Sequence, residues 1–460
     1  MTTPLLVIDV VGLTPRQVGP DAPALAALAR DGFLSPMGAV LPAVTCSAQA
    51  TMLTGSMPRE HGVVGNGWYY RDTAEVALWR QSRHLVGGEQ VWEAARRRGP
   101  SVTCAQLFWW FNMYTSADWS VTPRPAYPAD GRKVPGIYTQ PHDLRYELEG
   151  ELGEFPLFNF WGPTADIRSS RWIADCARTV MERRRPTLTF VYLPHLDYDH
   201  QRYGPDHPRS RTALRDVDRL VEGLVGAARE LGAEVLVVSE YGILPASRTV
   251  DINRALRRAG LLAVQETLGW ELLDAGASRA FAVADHQVAH VYVHDPADLD
   301  RARAAIEALE GVEAILDEQG KREAGLDHPR AGELVAVAAP DAWFTYYYWL
   351  DDGRAPDFAP TVDIHRKPGY DPAELFMATR VGSKLRAARA LARKKAGMRY
   401  LMDVVALDGS QVRGSHGRLP ADPADGPVLI GSSRELAPAG GGIPPMTAVW
   451  DIVLEHVARG

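Results

Sequence analysis

Residues 41–66 read LPAVTCSAQATMLTGSMPREHGVVGN, and they pass from a proline-containing loop into a short helix that we predict to begin near Thr45. A hydroxyl at the N-terminus of a helix lies where backbone N–H groups and the helix dipole favour a phosphate. A threonine at this place can also serve only as an N-cap. The segment by itself therefore leaves both a chemical and a structural role open for Thr45.

Around this segment, short apolar runs alternate with amphipathic stretches, which predicts an α/β fold with a mostly parallel sheet and helices on both faces. The predicted strands are Leu5 to Asp9, Val102 to Leu107, Leu188 to Leu193, Val235 to Glu240, Ala289 to Val293 and Val428 to Ile430. The predicted helices are Pro23 to Arg30, Arg211 to Leu231, Asp298 to Leu309 and Met446 to Val457. We predict one domain, 1–460, in which the aromatic-rich segments 108–165 and 340–400 are insertions that cap one end of the sheet.

Composition narrows the class of protein. The chain has 460 residues and a formal net charge of -7 without a block of like charge, so nucleic acid is not an expected partner. Its three cysteines form no C-x-x-C pair, which favours a reducing compartment. A membrane span needs about eighteen consecutive apolar residues, and the sequence has no such run. We therefore expect a cytoplasmic protein, and the oligomeric state stays open.

Three acidic residues share one sequence context. Asp9, Asp197 and Glu240 each end or closely follow an apolar strand. In an open α/β sheet, ligands bind at this edge. A single acidic residue there is commonly a cap or a turn residue, but three converging carboxylates repel one another unless a cation neutralises them. The pattern favours a divalent metal site.

On these residues, the sequence resembles the alkaline phosphatase superfamily, in particular its type I phosphodiesterase/nucleotide pyrophosphatase branch. Residues 53–55 (LTG) and 58–62 (PREHG) match the branch's L-T-G and P-x-x-H-G signatures, and its nucleophilic threonine falls at Thr45. The resemblance implies an alkaline phosphatase-like core and a phospho-threonine intermediate. It also implies hydrolysis of a phosphodiester, pyrophosphate or phosphomonoester bond in a small, nucleotide-like substrate. A sulfatase is disfavoured, because Cys46 is one position late for C-x-P-S-R.

The resemblance also implies two divalent metal ions. One would bind to Asp9, Glu240 and Thr45 and lower the pKa of the threonine hydroxyl. The other would bind to Asp197 and to His416, which lies in a G-x-H-G-like motif, and would stabilise the leaving oxygen. Zinc is the usual metal of such sites, whereas a site with more oxygen ligands favours manganese or magnesium.

Several positions depart from the family pattern. Gln201 stands at the histidine of the family's D-x-x-x-H, with His200 one residue early as a possible substitute. The family's S-D-H-G reads Ser-Glu-Tyr-Gly at residues 239–242, and a tyrosine is a poor ligand for zinc. Ala48 replaces an asparagine that donates to the phosphate, and Gln49 is the predicted substitute.

Further residues are candidates to complete the site. In DIHRKPGYDP, residues 363–372, Asp363 and His365 are predicted metal ligands, and Arg366 and Lys367 are predicted anion-binding donors. Asn66, after the His-Gly signature, is a predicted substrate-binding residue.

Two rival functions remain open. A non-catalytic descendant of the fold, binding a metal or a ligand, would explain the lost histidines. The retention of Thr45 together with several ligand positions favours the enzyme instead. A phosphomutase of the same superfamily would need a serine nucleophile and a larger inserted domain, and the sequence shows neither.

Overall fold

An eight-stranded sheet forms the centre of the part of the chain that the computed structural model describes, residues 2–129, 132–378, 388–390, 392–393, 398 and 402–459. In spatial order, its strands are Phe33–Pro36, Val428–Gly431, Glu234–Val238, Leu5–Val10, Leu188–Leu193, Cys104–Leu107, Trp119–Pro123 and Ile137–Gln140. From the third to the seventh of these strands the pairing is parallel, and the outer strands pair antiparallel.

The strand Leu5–Val10 lies in the middle of the sheet and is buried along its whole length. It pairs in parallel with Leu188–Leu193 and with Glu234–Val238, so that Asp9 lies level with Tyr192. Strands covered on both faces are continuous apolar runs, which is why the sequence shows no alternation here. The carboxyl ends of these three strands meet at one edge of the sheet.

Helices pack on the sheet in two groups, whose apolar faces join the main core. The first group is Pro23–Asp31, Ile167–Arg184 and Pro208–Glu230, and the second is Thr45–Thr54, Val91–Arg98 and Ala448–Ala458. Further α-helices in the described ranges are Pro58–His61, Leu144–Leu152, His195–Tyr203, Ile252–Arg258, Leu299–Glu307 and Glu318–Glu323. None of the helices in these ranges is both long enough and apolar enough to cross a membrane.

A second, antiparallel sheet has a hydrophobic core of its own. Its strands, in spatial order, are Ala280–Asp285, Val288–Val293, Leu334–Ala338 and Val312–Leu316. The first two form a hairpin whose turn includes His286 in a left-handed conformation, with φ 59°. The backbone N–H of Gln287 in this turn donates to the carbonyl of His416 over 2.9 Å. The hairpin tip is thereby fixed beside the main sheet.

Shorter strand pairs complete the fold. They are Gly67–Tyr70 with Glu75–Leu78, Ala263–Thr267 with Trp270–Asp274, Arg248–Val250 with Ala342–Phe344, and Leu244–Pro245 with Gly414–Ser415.

The predicted α/β class with a mostly parallel sheet is confirmed. All the predicted strands and helices are present, with ends that differ by up to three residues. One difference bears on the site: the third central strand ends at Val238, so Glu240 lies in the loop beyond it. The helix predicted to begin near Thr45 begins at that residue.

The two predicted insertions are only partly separate from the core. Segment 108–165 contributes Trp119–Pro123 and Ile137–Gln140 to the edge of the main sheet, and that part extends the sheet. In segment 340–400, Tyr346 to Trp349 are buried in the core of the second sheet. Most of 379–400 lies outside the described residues. That the two segments cap the site stays a prediction.

Candidate active site

Three buried carboxyl groups lie where the central strands end. Asp9 is the last but one residue of the strand Leu5–Val10, Glu240 follows the strand Glu234–Val238, and Asp197 is in the first turn of the helix after the strand Leu188–Leu193. All three are at most 8% exposed. The parallel register brings them to one edge of the sheet, as the sequence predicts.

Thr45 is the first residue of the helix Thr45–Thr54 and is buried. Its Oγ1 lies 3.1 Å from the hydroxyl of Tyr241, the residue that follows Glu240 in the chain. The start of the helix is held by Asn66, whose Oδ1 accepts the backbone N–H of Cys46 over 3.0 Å. The threonine hydroxyl is therefore fixed against the acidic edge of the sheet.

Gln49 lies one helical turn after Thr45 on the same face of the helix. Its Nε2 donates to Asp9 Oδ2 over 3.0 Å and to Glu240 Oε1 over 2.7 Å. Its Oε1 accepts the backbone N–H of Trp110 over 2.7 Å. Because a backbone N–H can only donate, this bond fixes which end of the amide faces the carboxyl groups. Gln49 was predicted to donate to a phosphate, but the structure places its amide on the two acids.

A second polar group surrounds Asp197. Gln201, one turn later on the same helix, donates from Nε2 to Asp197 Oδ2 over 2.8 Å and accepts the hydroxyl of Tyr370 over 3.0 Å. His416 Nε2 lies 3.9 Å from Asp197 Oδ1. The Nδ1 of His416 is bonded to the carbonyl of Ala43 over 2.8 Å, so the Nδ1–H tautomer leaves a lone pair on Nε2 toward the carboxyl group.

Tyr241 joins the two groups. Its ring stacks on His416 with centroids 3.5 Å apart and 7° between the planes. Its hydroxyl lies 3.1 Å from Thr45 Oγ1. Burial and the neighbouring Asp197 and Glu240 raise the pKa of Tyr241 well above its usual value, so the phenol stays neutral.

The pKa values of Asp9, Glu240 and Asp197 are raised above those of ordinary carboxyl groups. Burial raises the pKa of Asp9 to about 7, although hydrogen bonds with Glu240 and Gln49 oppose the shift. Burial and the charge of Asp9 raise the pKa of Glu240 well above its usual value. Burial also raises the pKa of Asp197 to about 7, against the hydrogen bond from Gln201. Such perturbed carboxyl groups are typical of functional sites.

His200 does not take the place of the family's histidine. Residues four apart share a helix face, so the helix places Gln201 beside Asp197 and turns His200 away. The Nε2 of His200 lies 3.4 Å from Gln17 Nε2, and its Nδ1 faces Gly12. The predicted ligand role of His200 is therefore not supported, because its ring faces Gln17 and Gly12 and not Asp197.

The DIHRKPGYDP segment differs from its prediction as well. Lys367 is buried, and its Nζ lies 2.7 Å from both Asp371 and Glu374, so it is an internal ion-pair partner and no free anion-binding donor. Arg366, half exposed, pairs with Asp357 over 2.9 Å.

The two predicted metal ligands of that segment, Asp363 and His365, also make contacts other than the predicted ones. The carboxylate of Asp363 is 3.9 Å from Arg366, and the ring of His365 packs edge-on against Tyr127. These contacts leave Asp363 and His365 outside the group around Thr45.

Asn66 also has a different role from the predicted one. Its backbone N–H and its Nδ2 donate to Asp285 over 2.8 and 3.1 Å, while its Oδ1 holds Cys46. Every polar atom of this side chain is used to join the first turn of the helix to the hairpin of the second sheet. Asn66 positions Thr45 and is not free to bind a substrate.

Two tyrosines of the site are absent from the sequence prediction. The sequence predicts no role for Tyr370 and presents Tyr241 only as a poor metal ligand, because a tyrosine is neither a typical nucleophile nor a metal ligand in this family. Tyr370 stacks on His286 at 3.6 Å in addition to its bond to Gln201. Its position in the charged segment 363–372 is the sequence feature that could have indicated a role in the site.

His61 of the PREHG signature is buried as a neutral imidazole. Its Nε2 lies 3.1 Å from Thr51 Oγ1 in the helix that carries Thr45, and its Nδ1 accepts the N–H of Val63 over 3.1 Å. Protonation would set a new N–H against the N–H of Val63. Burial, with His328 and Arg330, lowers the pKa of His61 to about 3.

The lowered pKa of His61 predicts that the stability of the folded protein depends on pH. Between pH 6.5 and 3 the unfolded state binds a proton that the folded state excludes, so stability is lost as the pH falls. The test compares the free energy of unfolding of wild type with that of His61→Gln. We expect the difference in favour of wild type to decrease by about 2 kcal/mol between about pH 7.5 and about pH 5. Urea unfolding at both pH values measures it. A constant difference would show that His61 titrates normally in the folded protein.

Comparisons with known proteins give the fold and the family. The fold is alkaline phosphatase-like. The chain belongs to the type I phosphodiesterase / nucleotide pyrophosphatase family, whose profile matches residues 5–371. Over 216 residues it is 23% identical to an uncharacterized pyrophosphatase/phosphodiesterase of Schizosaccharomyces pombe, a match that covers 45% of this chain and 37% of the relative. The matched stretch thus spans little more than a third of that relative's length.

Solved structures show the same fold. Phosphonoacetate hydrolase from Sinorhizobium meliloti in complex with phosphonoformate has a TM-score of 0.63 and 16% identity, over 98% of this chain and 95% of that one. An inactive threonine-to-alanine variant of murine ectonucleotide pyrophosphatase / phosphodiesterase 5 in complex with AMP has a TM-score of 0.57 and 12% identity, over 99% and 95%. At these identities the likeness establishes the fold.

Members of this family are generally divalent-metal dependent, and the two halves of the site fit a cation unequally. Asp197 Oδ1 and His416 Nε2 are buried, face each other and have no hydrogen-bond partner, as two ligands of one cation would. Between Asp9 and Glu240, the Gln49 amide fills the corresponding position. Within the described ranges, no group of three or more His, Cys, Asp or Glu side chains is arranged to hold a metal.

Proposed function

We propose that the protein is a phosphoric ester hydrolase in which Thr45 is the nucleophile. The observation that carries this proposal is the position of Thr45 Oγ1 at a helix start, bonded to Tyr241 and next to Glu240. Membership of the family and the inactive threonine-to-alanine variant of the murine relative support the same role.

The chemistry has two steps. Thr45 Oγ1 attacks phosphorus in line, the P–O bond to the leaving alcohol breaks, and the alcohol departs with the bonding electrons and takes up a proton. The hydroxyl proton of Thr45 passes to the carboxyl pair of Asp9 and Glu240. Water then attacks the phospho-threonine, which releases the phosphate and restores the hydroxyl.

The polar groups around Thr45 supply the orientation. Tyr241 donates to the nucleophile or to the phosphoryl oxygens that replace it, and its neutral phenol adds no repulsion toward an anionic substrate. Asp197 and His416 would hold a divalent cation, zinc, manganese or magnesium, which supplies Lewis-acid stabilisation of the leaving oxygen when bound.

The substrate class is a small phosphate ester or anhydride. The neighbouring solved structures hold phosphonoformate and AMP, both small anions with a phosphorus centre. For this chain we propose a phosphodiester, a pyrophosphate or a phosphomonoester with a nucleotide-like or similar leaving group.

The test is to trap the covalent intermediate. Protein incubated with p-nitrophenyl phosphate or bis-p-nitrophenyl phosphate and zinc or manganese is quenched in acid, and its peptides are sequenced by mass spectrometry. We expect a phosphoryl adduct on Thr45 and none on Thr51 or Thr54 of the same helix. Turnover with an adduct on another residue would refute the nucleophile assignment.

One observation favours a second candidate, a non-catalytic ligand-binding protein. The amides of Gln49 and Gln201 already satisfy oxygens of Asp9, Glu240 and Asp197. If no turnover and no adduct occur with any of the metals, and the protein still binds AMP in a calorimetric titration, the binding function replaces the enzymatic one.

A further inference from the structure

We propose that the side-chain amide of Gln49 takes the place of one divalent cation, so that this site holds at most one metal ion, at Asp197 and His416. The inference deepens the proposed function, because it rests on the same assignment of the site. It concerns the metal content and is independent of whether Thr45 reacts.

The first step is steric. The Nε2 of Gln49 lies 3.0 Å from Asp9 Oδ2 and 2.7 Å from Glu240 Oε1, between the two carboxyl groups. A zinc ion bound by both groups would lie about 2.0 to 2.2 Å from each coordinating oxygen, in the space that the amide nitrogen fills. An amide nitrogen and a cation cannot share this space.

The second step is that Gln49 is held in place. Its Oε1 accepts the N–H of Trp110 over 2.7 Å, and that amide group belongs to the backbone. Rotating the side-chain amide by half a turn would set its NH2 against this N–H and its oxygen against two acids, with the loss of all three hydrogen bonds. An unpaired buried donor costs about 1 to 3 kcal/mol, so a cation entering this position would have to overcome several such losses.

The third step concerns the partner ligands. Beside Glu240 the chain has Tyr241, whose hydroxyl lies 3.1 Å from Thr45 Oγ1 and whose ring is stacked on His416. This phenol is buried and neutral, and it offers no imidazole lone pair.

The other half of the site, Asp197 with His416, is not bridged by such an amide. Gln201 Nε2 donates to Asp197 Oδ2, and neither Asp197 Oδ1 nor His416 Nε2 has a hydrogen-bond partner among the described residues. The two positions thus differ: Gln49 Nε2 donates to one oxygen of Asp9 and one of Glu240 and leaves their second oxygens unpaired, whereas Gln49 makes no bond to Asp197 Oδ1 or His416 Nε2, which are unpaired and lie 3.9 Å apart.

Zinc binding to the full-length chain tests the inference. Metal-free protein, prepared with a chelator and then dialysed, is titrated with zinc by calorimetry, and bound metal is counted by elemental analysis. We expect at most one equivalent for wild type. Asp9→Asn and Glu240→Gln should leave the stoichiometry and the dissociation constant unchanged, whereas His416→Ala should weaken binding by at least about 10- to 100-fold.

The outcomes separate this inference from the proposed function. Two equivalents in wild type, one of which is lost in Asp9→Asn or in Glu240→Gln, would overturn it. Two acidic variants are used because either could unfold, and circular dichroism identifies a variant that has. Zero equivalents would leave the role of Gln49 intact and would remove the cation from the proposed function. If one equivalent of zinc binds but no phosphoryl adduct forms on Thr45, only the assignment of Thr45 as the nucleophile would be refuted.

Discussion

Thr45→Ala is expected to lower kcat for p-nitrophenyl esters by at least about a thousandfold, since removal of a nucleophile typically costs several orders of magnitude. The substitution deletes the hydroxyl that lies 3.1 Å from Tyr241 and adds no bulk to the buried start of its helix. Steady-state kinetics with zinc or manganese measure the effect. The midpoint of thermal unfolding should change little in comparison.

Thr54→Ala is the matched control for this prediction. Thr54 belongs to the same helix, is also buried, and donates its hydroxyl to the carbonyl of Ala50 over 2.7 Å, away from the acidic edge. Its loss should leave kcat within a few-fold of wild type. Thr45→Ser, which keeps a hydroxyl, should retain more activity than Thr45→Ala. Equal rates for wild type and Thr45→Ala would exclude a covalent role for this residue.

Lys367→Met is expected to lower the free energy of unfolding by about 3 to 5 kcal/mol, the usual effect of removing one partner from a buried ion pair. The Nζ of Lys367 lies 2.7 Å from Asp371 and from Glu374 and 2.8 Å from the carbonyl of Thr361. Burial lowers the pKa of this lysine, but the attraction of the two carboxylates outweighs it and raises the pKa overall. Methionine would leave two buried acids without a counter-charge. Urea unfolding measures the loss.

The neighbouring Arg366 supplies the control. It is half exposed and pairs with Asp357 on the surface, so Arg366→Met should change the free energy of unfolding by no more than about 0.5 kcal/mol. The opposite pattern would restore the role predicted from sequence. If Lys367→Met keeps full stability but raises KM for an anionic substrate, the lysine binds substrate after all.

The sequence was sufficient for the elements that repeat local patterns. The continuous apolar runs at residues 5–9, 188–193 and 235–238 predict buried parallel strands, and all are present. Asp9, Asp197 and Glu240 follow these runs, so their convergence at one edge follows from the topology of any parallel sheet. The segment around Thr45 predicts a helix that begins near this residue, and the helix begins there.

The roles of the neighbouring side chains depended on packing at longer range. Gln49 and Asp9 are 40 residues apart, and Tyr370 and Gln201 are 169 apart. A sequence shows that an amide is present, but not which acceptor it reaches. Lys367 illustrates the same limit, because a lysine beside a histidine and an arginine is typical of an anion site until its burial is known.

The sequence by itself thus determined the fold class, the family and the acidic edge with its threonine, because strand burial and the signature are written in adjacent residues. Only the tertiary structure decided that an amide lies between Asp9 and Glu240, that Gln201 and not His200 faces Asp197, and that Lys367 is an internal counter-ion. Each of these depends on the direction and solvation of a side chain. Contacts between distant segments fix those directions, and local periodicity carries no information about them.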